Sequence, residues 1–370
     1  FDKDAFVGLA KRFGDEGRAL QDKLGINVNS PDQARGLVSS VLGREMDTTA
    51  ASVLDPIIGD FDTPDDLSPP MRQLYDLLRV RTLLKMESTY GEKFLDTIEP
   101  GGYLMPGWKL DGPVTGRMAC SSPNMMNVPQ REVPEYRLTV IASPDHDFIV
   151  SDASQQEPRV GAVLSQDKRL LELVRTGASI YIKVAEDLLH ETIDKKHPRY
   201  PAVKASVLGT FYGLKSRTLA KREGIPVAEA KYIQESIFSN YPEVPIWMHR
   251  MRERAFSKGY IETILGRRMY INQHGEDNWE NQAINYPVQG TAAEITKLAL
   301  VYMHEEFKAR GLPFCINLQV HDELNADCPK EYTERVVETM RECWIEAGRR
   351  IIPEVPFVTE IEHGSNWGCK

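Results

Sequence analysis

The sequence predicts an α+β protein divided into two or three lobes, and three observations carry that expectation. Apolar residues at helical spacing fill most of the chain before residue 98 and again between 166 and 265. The tract 101–144 breaks this texture with prolines at 106, 113, 123, 129 and 134, then runs into the apolar stretch Phe148-Ile149-Val150. Far downstream, 316–320 and 324–326 read as two short strands joined at a tight turn that holds His321-Asp322-Glu323. At 370 residues the chain is longer than one hydrophobic core usually organises, so several lobes are expected.

Each element follows from local chemistry. Residues 1–66 alternate helical stretches with polar breaks. At Asn29-Ser30-Pro31-Asp32, either Asn29 or Ser30 can cap a helix carrying Ala34, Leu37, Val38, Val41 and Leu42. After Thr63-Pro64-Asp65-Asp66, 71–95 reads as one long helix. Its apolar Leu74, Leu77, Leu78 and Leu84 separate imperfectly from basic Arg72, Arg79, Arg81 and Lys85, as on a solvated helix of a bundle. The run 148–150 ends in Ser151-Asp152 and gives way to a helix through Val160, Val163 and Leu164. Helices follow over 181–189, 202–221, 227–238 and 290–309.

Hydrophobic content of 41% with 27% charged residues argues against wholesale disorder. No run of about 18 apolar residues suggests a membrane span, and no basic-then-apolar start suggests a secretory signal. The first residue is Phe1 rather than Met, which points to a processed product or a fragment. Five scattered cysteines, odd in number and none in a CxxC spacing, argue against a disulfide framework and a zinc site and favour a reducing interior, with a cytoplasmic setting expected. A net charge of −9 excludes a uniformly basic coat but not a local basic channel.

The acidic residues point to chemistry. Asp152 closes an apolar strand, and Asp322 with Glu323 lies in a turn about 170 residues later. Carboxylates at strand ends are anchored by backbone, and two brought together repel unless cations neutralise them. Mg²⁺ favours one or two carboxylates plus phosphates and waters, and two such ions suit in-line phosphoryl displacement. Any single acidic turn residue is ordinarily just surface, so the pair draws its weight from its surroundings. In the helix 202–221, Lys204, Leu208 and Tyr212 share a face, with Gly213 next. Between Lys195 and Arg222 stand eight Lys or Arg residues and no Asp or Glu, a phosphate-friendly asymmetry. A solvated basic helix with Leu208 and Tyr212 in a core is the plainer alternative.

Taken together, these segments resemble DNA polymerase family A along nearly the whole chain. Ser151-Asp152-Ala153-Ser154-Gln155-Gln156-Glu157-Pro158-Arg159 resembles that family's motif A. Lys204 through Tyr212-Gly213 is similar to motif B, and Gln319-Val320-His321-Asp322-Glu323 to motif C. Thr115-Gly116-Arg117, Ser122-Pro123-Asn124 and Asn127-Val128-Pro129 resemble the stretch lining the duplex minor groove. The segment from Ala283 through Asn285 and Gln289 to Ala293 is similar to a further signature that faces the template–primer. Lys85-Met86-Glu87-Ser88-Thr89-Tyr90 resembles a piece of the thumb helix, and Asn366-Trp367 also fits.

The resemblance implies a right hand with an antiparallel palm sheet: thumb 1–98, palm 99–165 and 286–370, helical fingers 166–285. It implies template-directed addition of dNTPs to a primer 3′-OH, with two Mg²⁺ ions on Asp152 and Asp322 (Mn²⁺ able to substitute) and Glu323 in a lesser catalytic role. Lys204 would contact the triphosphate and donate a proton to pyrophosphate. Glu157 would be the gate against a ribose 2′-hydroxyl, and Gln155, Leu208, Tyr212 and Arg199 would complete the nucleotide site. Lys85, Arg117, Asn124, Asn285, Gln289 and His321 would contact the DNA. Three departures stand out. Tyr200 occupies the position of the usual motif B arginine, with Arg199 one residue before it; Leu208 replaces an aromatic residue; Ala153 and Pro158 replace an aromatic and a leucine. The SQQEP variant has a phage or mobile-element flavour. The expected partners are a DNA template–primer and dNTPs, no membrane and no second copy, with room for an upstream exonuclease or other domain outside this chain. A single-subunit RNA polymerase should lack Glu157, a two-metal nuclease has no need of the Lys204/Tyr212 helix, and a silent DNA-binding module has no need of Asp152, Asp322 and Lys204 intact.

Overall fold

The computed structural model describes every residue except 60–62, 130–132, 190, 195–196, 198–199, 224, 273–277 and 370. The expected Arg199 therefore lies outside the described residues, as do Lys195 and Lys196 among the eight basic positions from Lys195 to Arg222. The chain divides into two compact units, Phe1–Met105 with Arg217–Glu229, and Pro106–Ser216 with Ala230–Lys370.

The first unit is helical. Its helices are α1 (Lys3–Leu24), α2 (Pro31–Leu42), α3 (Ala51–Ile58) and α4 (Pro69–Tyr90). Ser30 is the cap of α2, its hydroxyl accepting from Gln33 N at 3.5 Å, and Pro31 supplies a pre-set first turn. The long helix expected over 71–95 stops at Tyr90, and a separate short turn follows at Glu92–Leu95. Leu74, Leu77, Val80 and Leu83 recur every third residue along α4 and are fully buried, so this helix has a clear inner face despite its scattered charges. Gly17 lets α1 approach α4 closely: a Cβ there would stand 3.0 Å from Leu84 and 3.2 Å from Leu83. Arg81 is anchored rather than solvated, donating to Val28 O at 3.1 Å and to Thr49 O at 2.7 Å.

The second unit is built on a four-stranded antiparallel sheet. Its strands are β1 (His146–Ala153), β2 (Ile316–Val320), β3 (Glu323–Pro329) and β4 (Thr359–Gly364), in the order β4-β1-β3-β2. The α+β class is therefore as expected. Asp152 stands opposite Glu323 on one side and Glu360 on the other. The unit also holds α5 (Gln156–Ser165), α6 (Lys168–Arg175), α7 (Ile180–Leu189), α8 (Tyr200–Phe211) and most of α10 (Val227–Asn240), whereas α9 (Ser216–Glu223) falls, apart from Ser216, among the residues of the first unit. Next come α11 (Glu243–Lys258), α12 (Trp279–Ala309) and α13 (Thr333–Ile351).

Two helices differ from expectation. The helix expected over 202–221 is two, α8 and α9, because Gly213 takes a φ of 73° and turns the chain out of helical geometry. The helix expected from 290 begins at Trp279 and carries Pro287 inside it, although proline removes one helical N–H and usually marks an end. Helix α13 covers one face of the sheet: the Trp344 indole N–H donates to Ser151 Oγ at 2.9 Å, and that hydroxyl donates to Leu324 O at 2.8 Å. Since side chains alternate along a strand, Ser151 facing α13 sends its neighbour Asp152 to the opposite face.

Candidate active site

The sheet brings the two aspartates together. β2 and β3 join through the two-residue turn His321-Asp322, with His321 at a φ of 56°. Ala153 N donates to Asp322 O at 3.1 Å, so the turn is tied by backbone to the end of the strand carrying Asp152. Burial first, then the charge of Asp152, pushes the Asp322 carboxyl up to about 6. Glu157 adds to the rise, while a backbone hydrogen bond and Arg117 oppose it. Two carboxylates held together in this way make a site that a cation would stabilise further.

The donor chemistry fits a hard divalent cation. Both groups offer oxygen only, and no third His, Cys, Asp or Glu completes a cage among the described residues. An ion here would therefore draw its remaining ligands from water and substrate, the pattern Mg²⁺ favours.

Around this pair stand other expected residues. Arg117 forms an ion pair with Glu157, and burial pushes the Glu157 carboxyl up against the lowering effect of that arginine. Burial pushes the His321 imidazole down; the Arg117 charge lowers it further and Glu323 opposes both. Lys204 holds its ammonium 5.1 Å from the centroid of the Tyr181 ring. The Tyr181 phenol is pushed up by burial first, then by Glu157, Tyr200 and Asp322, so it sits among the same acids. Gln155 takes a left-handed φ of 53° at the start of α5, and its Oε1 accepts from Ile180 N at 3.0 Å, fixing the entry of α7 just before Tyr181.

Helix α8 supplies a second wall. Leu208 and Tyr212 line a cavity of about 40 Å³ with Glu157, Gly161, Phe211 and Trp247. The shared face expected for Lys204, Leu208 and Tyr212 continues past the helix end, because Tyr212 N still donates to Leu208 O at 2.9 Å. Gly213 is required where it stands. Besides its positive φ, a Cβ would come within 2.8 Å of Ile284 and 3.0 Å of Asn281.

The expected DNA-contacting residues are less uniformly gathered. Asn285 and Gln289 lie on α12, with the Asn285 Oδ1 buried and without a hydrogen-bond partner. Asn124 is exposed and uses its side-chain oxygen to accept from Met126 N at 3.1 Å, capping a short 3₁₀ turn. Lys85 is an exposed residue of α4 in the first unit.

Glu323 differs from the two aspartates: it is buried and bonded on the protein side. Trp367 Nε1–H donates to its Oε1 at 2.7 Å, Asn325 Nδ2 donates to the same oxygen at 2.7 Å, and Arg137 lies 3.6 Å from Oε2. Sequence reasoning passed over Tyr181 and Arg137. Tyr181 lies in an ordinary helical pattern, and Arg137 lies late in the proline-spaced tract with nothing local to mark its burial.

Residues 11–369 match DNA polymerase family A. Among similar proteins, DNA polymerase I of Chloroflexus aurantiacus is 30% identical over 376 residues, covering 97% of this chain and 39% of the relative. The thermostable DNA polymerase I of Thermus aquaticus is 31% identical, covering 92% of this chain and 42% of the relative. The chain thus spans about two-fifths of the length of these relatives. A solved structure, the POL domain of Pol1 from M. smegmatis in complex with DNA primer-template and dNTP, overlays with a TM-score of 0.87 at 27% identity. That overlay covers 100% of this chain and 67% of the other. With a match across nearly its whole length and the right-hand polymerase fold behind it, this chain belongs to DNA polymerase family A.

Proposed function

We propose that this chain is the polymerase portion of a DNA-dependent DNA polymerase, adding dNTPs to a primer 3′-OH on a DNA template for replication or repair. The observation that carries the proposal is the meeting of Asp152 and Asp322 at the β1–β3 junction, where bound cations would offset the mutual repulsion of two carboxylates. Similarity to a POL domain solved with primer-template and dNTP supports the choice of partners.

In this reading Asp152 and Asp322 would hold two Mg²⁺ ions, with Mn²⁺ able to substitute, and the ions would supply positive charge for the attacking and leaving oxygens. The protein's own residues then divide the remaining work. Lys204 grips the triphosphate and gives a proton to the leaving pyrophosphate. Glu157 fills the space a 2′-hydroxyl needs, while Gln155, Leu208 and Tyr212 shape the base and sugar pocket. Arg199 contributes phosphate contacts. Arg117, Asn124, Asn285, Gln289, His321 and Lys85 contact primer and template; minor-groove acceptors are shared by all correct pairs, so shape is read there rather than sequence. Glu323 assists from behind Asp322.

The palm comprises 99–165 and 286–370, the fingers 166–285 and the thumb 1–98. The fingers close on a matched nucleotide, as induced closure assembles many such sites. The enzyme acts as a cytoplasmic monomer of bacterial or phage-infected cells. Among the described residues no helix is long and apolar enough to cross a membrane.

Extension of a labelled primer on DNA with Mg²⁺, with dNTPs and rNTPs supplied in parallel, tests the proposal. Growth with dNTPs alone is expected. Equal growth with rNTPs points instead to an RNA-making enzyme, and primer shortening without dNTPs to a nuclease. Tight DNA binding with no growth leaves only a binding module.

A further inference from the structure

The carboxylate one residue beyond Asp322 has no oxygen left free. Glu323 is held by the Trp367 indole at 2.7 Å, by Asn325 at 2.7 Å and by Arg137 at 3.6 Å, and the Glu323 and Arg137 side chains are 5% and 9% exposed. The Arg137 guanidinium also stacks over the Trp367 ring, 4.2 Å from its centroid. The two clamping residues come from short turns, Glu135–Leu138 and Trp367–Cys369. Backbone bonds lash the segments around those turns together: Trp367 N donates to Val140 O at 2.9 Å, and Ala142 N to Ser365 O at 2.9 Å. None of these contacts reaches out from the sheet toward a substrate.

Building on the polymerase reading above, we propose that Arg137 and Trp367 are positioning residues for the metal site. They clamp Glu323, and through it they set where the His321-Asp322 turn presents Asp322 beside Asp152. The geometry transmits this directly. Glu323 is the register partner of Asp152, and the turn's own backbone tie to Ala153 is a single bond at 3.1 Å. If the clamp loosens, β3 slides at its first residue and the two aspartates lose their mutual placement. A buried carboxylate that loses one of its donors is left short of a hydrogen bond, which favours a shift toward another donor.

The test measures cation binding apart from turnover. Mn²⁺ is titrated into the complex with primer–template, and loss of the free-ion EPR signal gives its dissociation constant. Half-saturating Mg²⁺ and KM for dNTP are measured alongside in primer extension. Trp367→Phe keeps the ring under Arg137 but removes the indole donor; Arg137→Lys keeps charge but loses the planar stack. Each is expected to weaken Mn²⁺ binding and raise half-saturating Mg²⁺ by about tenfold, the lower end for losing a group behind a metal ligand. KM for dNTP should stay within about twofold. Combining Trp367→Phe with Glu323→Gln should cost no more than the worse single change, since both act through one contact. Met303→Ala, a buried residue of α12, serves as a control for general loosening. Unchanged Mn²⁺ affinity in Trp367→Phe, or an equal shift in Met303→Ala, overturns the proposal. Should Arg137→Lys fail to fold, Trp367→Phe decides alone. A wild type that extends primers while the clamp variants bind Mn²⁺ normally rejects only the clamp; a wild type that never extends rejects the polymerase reading itself.

Discussion

Asp152 and Asp322 hang on a backbone ladder whose neighbouring groups are themselves fastened. Ser151 is bonded to Trp344 and to Leu324, Ala153 to the Asp322 carbonyl, and Glu323 to Trp367 and Asn325. Lys204, Leu208 and Tyr212 are mounted differently. They follow one face of a twelve-residue helix, Tyr200–Phe211, that Tyr212 prolongs up to the turn at Gly213, and their neighbours are a cavity and an aromatic ring rather than a ladder. The difference teaches where each kind of precision is useful. Under the proposed function, groups that would hold a cation against mutual repulsion are set by the main chain, while groups that would greet any of several nucleotides are set on a helix with room beside it.

Substitutions can break this comparison, beginning with the sheet. Asp322→Ala should lower the single-turnover extension rate by about 10²–10³-fold, comparable to losing a preorganised charge-stabilising group. Primer–template affinity measured by anisotropy should hardly change. Near-normal rates would show that the sheet pair is not the chemical centre. On the helix, Lys204→Gln should cost about 10²-fold if the ammonium acts as proton donor. A rise in KM for dNTP should accompany it, unlike the sheet variant, and rapid-quench kinetics separate the two.

Two smaller effects sharpen the comparison. Glu157 stands between the two regions, lining the helix-side cavity and raising the Asp322 carboxyl. Glu157→Ala should reduce discrimination against rNTPs by roughly 10–200-fold, the range for a steric distinction of one small group. Parallel single-nucleotide insertion assays measure it, and unchanged selectivity removes Glu157 from the gate. Gly213→Ala should cost about 1–2 kcal/mol for the left-handed backbone alone, more if Ile284 and Asn281 cannot retreat. Urea unfolding reads that loss, and a neutral result would mean that the end of α8 adapts without penalty.

The local parts of this arrangement were legible in the sequence. An apolar run ending in Ser151-Asp152 and two short strands around His321-Asp322-Glu323 announce strands and a turn, and those elements are present. Their meeting is not a local property. Residues about 170 apart are paired by the sheet order, and no spacing encodes that, so family resemblance rather than periodicity anticipated it. The break at Gly213 was missed because the basic and apolar pattern continues on both sides of it, whereas the turn is a property of one backbone angle. The start of α12 at Trp279 lies eleven residues before the expected one, and the helix accommodates Pro287, a residue type that usually marks a helix end. Arg137 gave no signal because a buried arginine is recognisable only from its partners, and those lie at Glu323 and Trp367.

The strand order β4-β1-β3-β2 also governs when the site can exist during synthesis. The first aspartate is made early, but its inner neighbour β3 is translated only after α12, and its other neighbour β4 only after α13. Until then β1 has both ladder edges open, an exposed template for mispairing. Chains emerge at about 5–20 residues per second, so the roughly 170 residues separating Asp152 from Asp322 correspond to an interval on the order of ten seconds or more. For that interval a nascent strand rich in buried apolar residues awaits partners not yet made, and its open edges are where mispairing would begin.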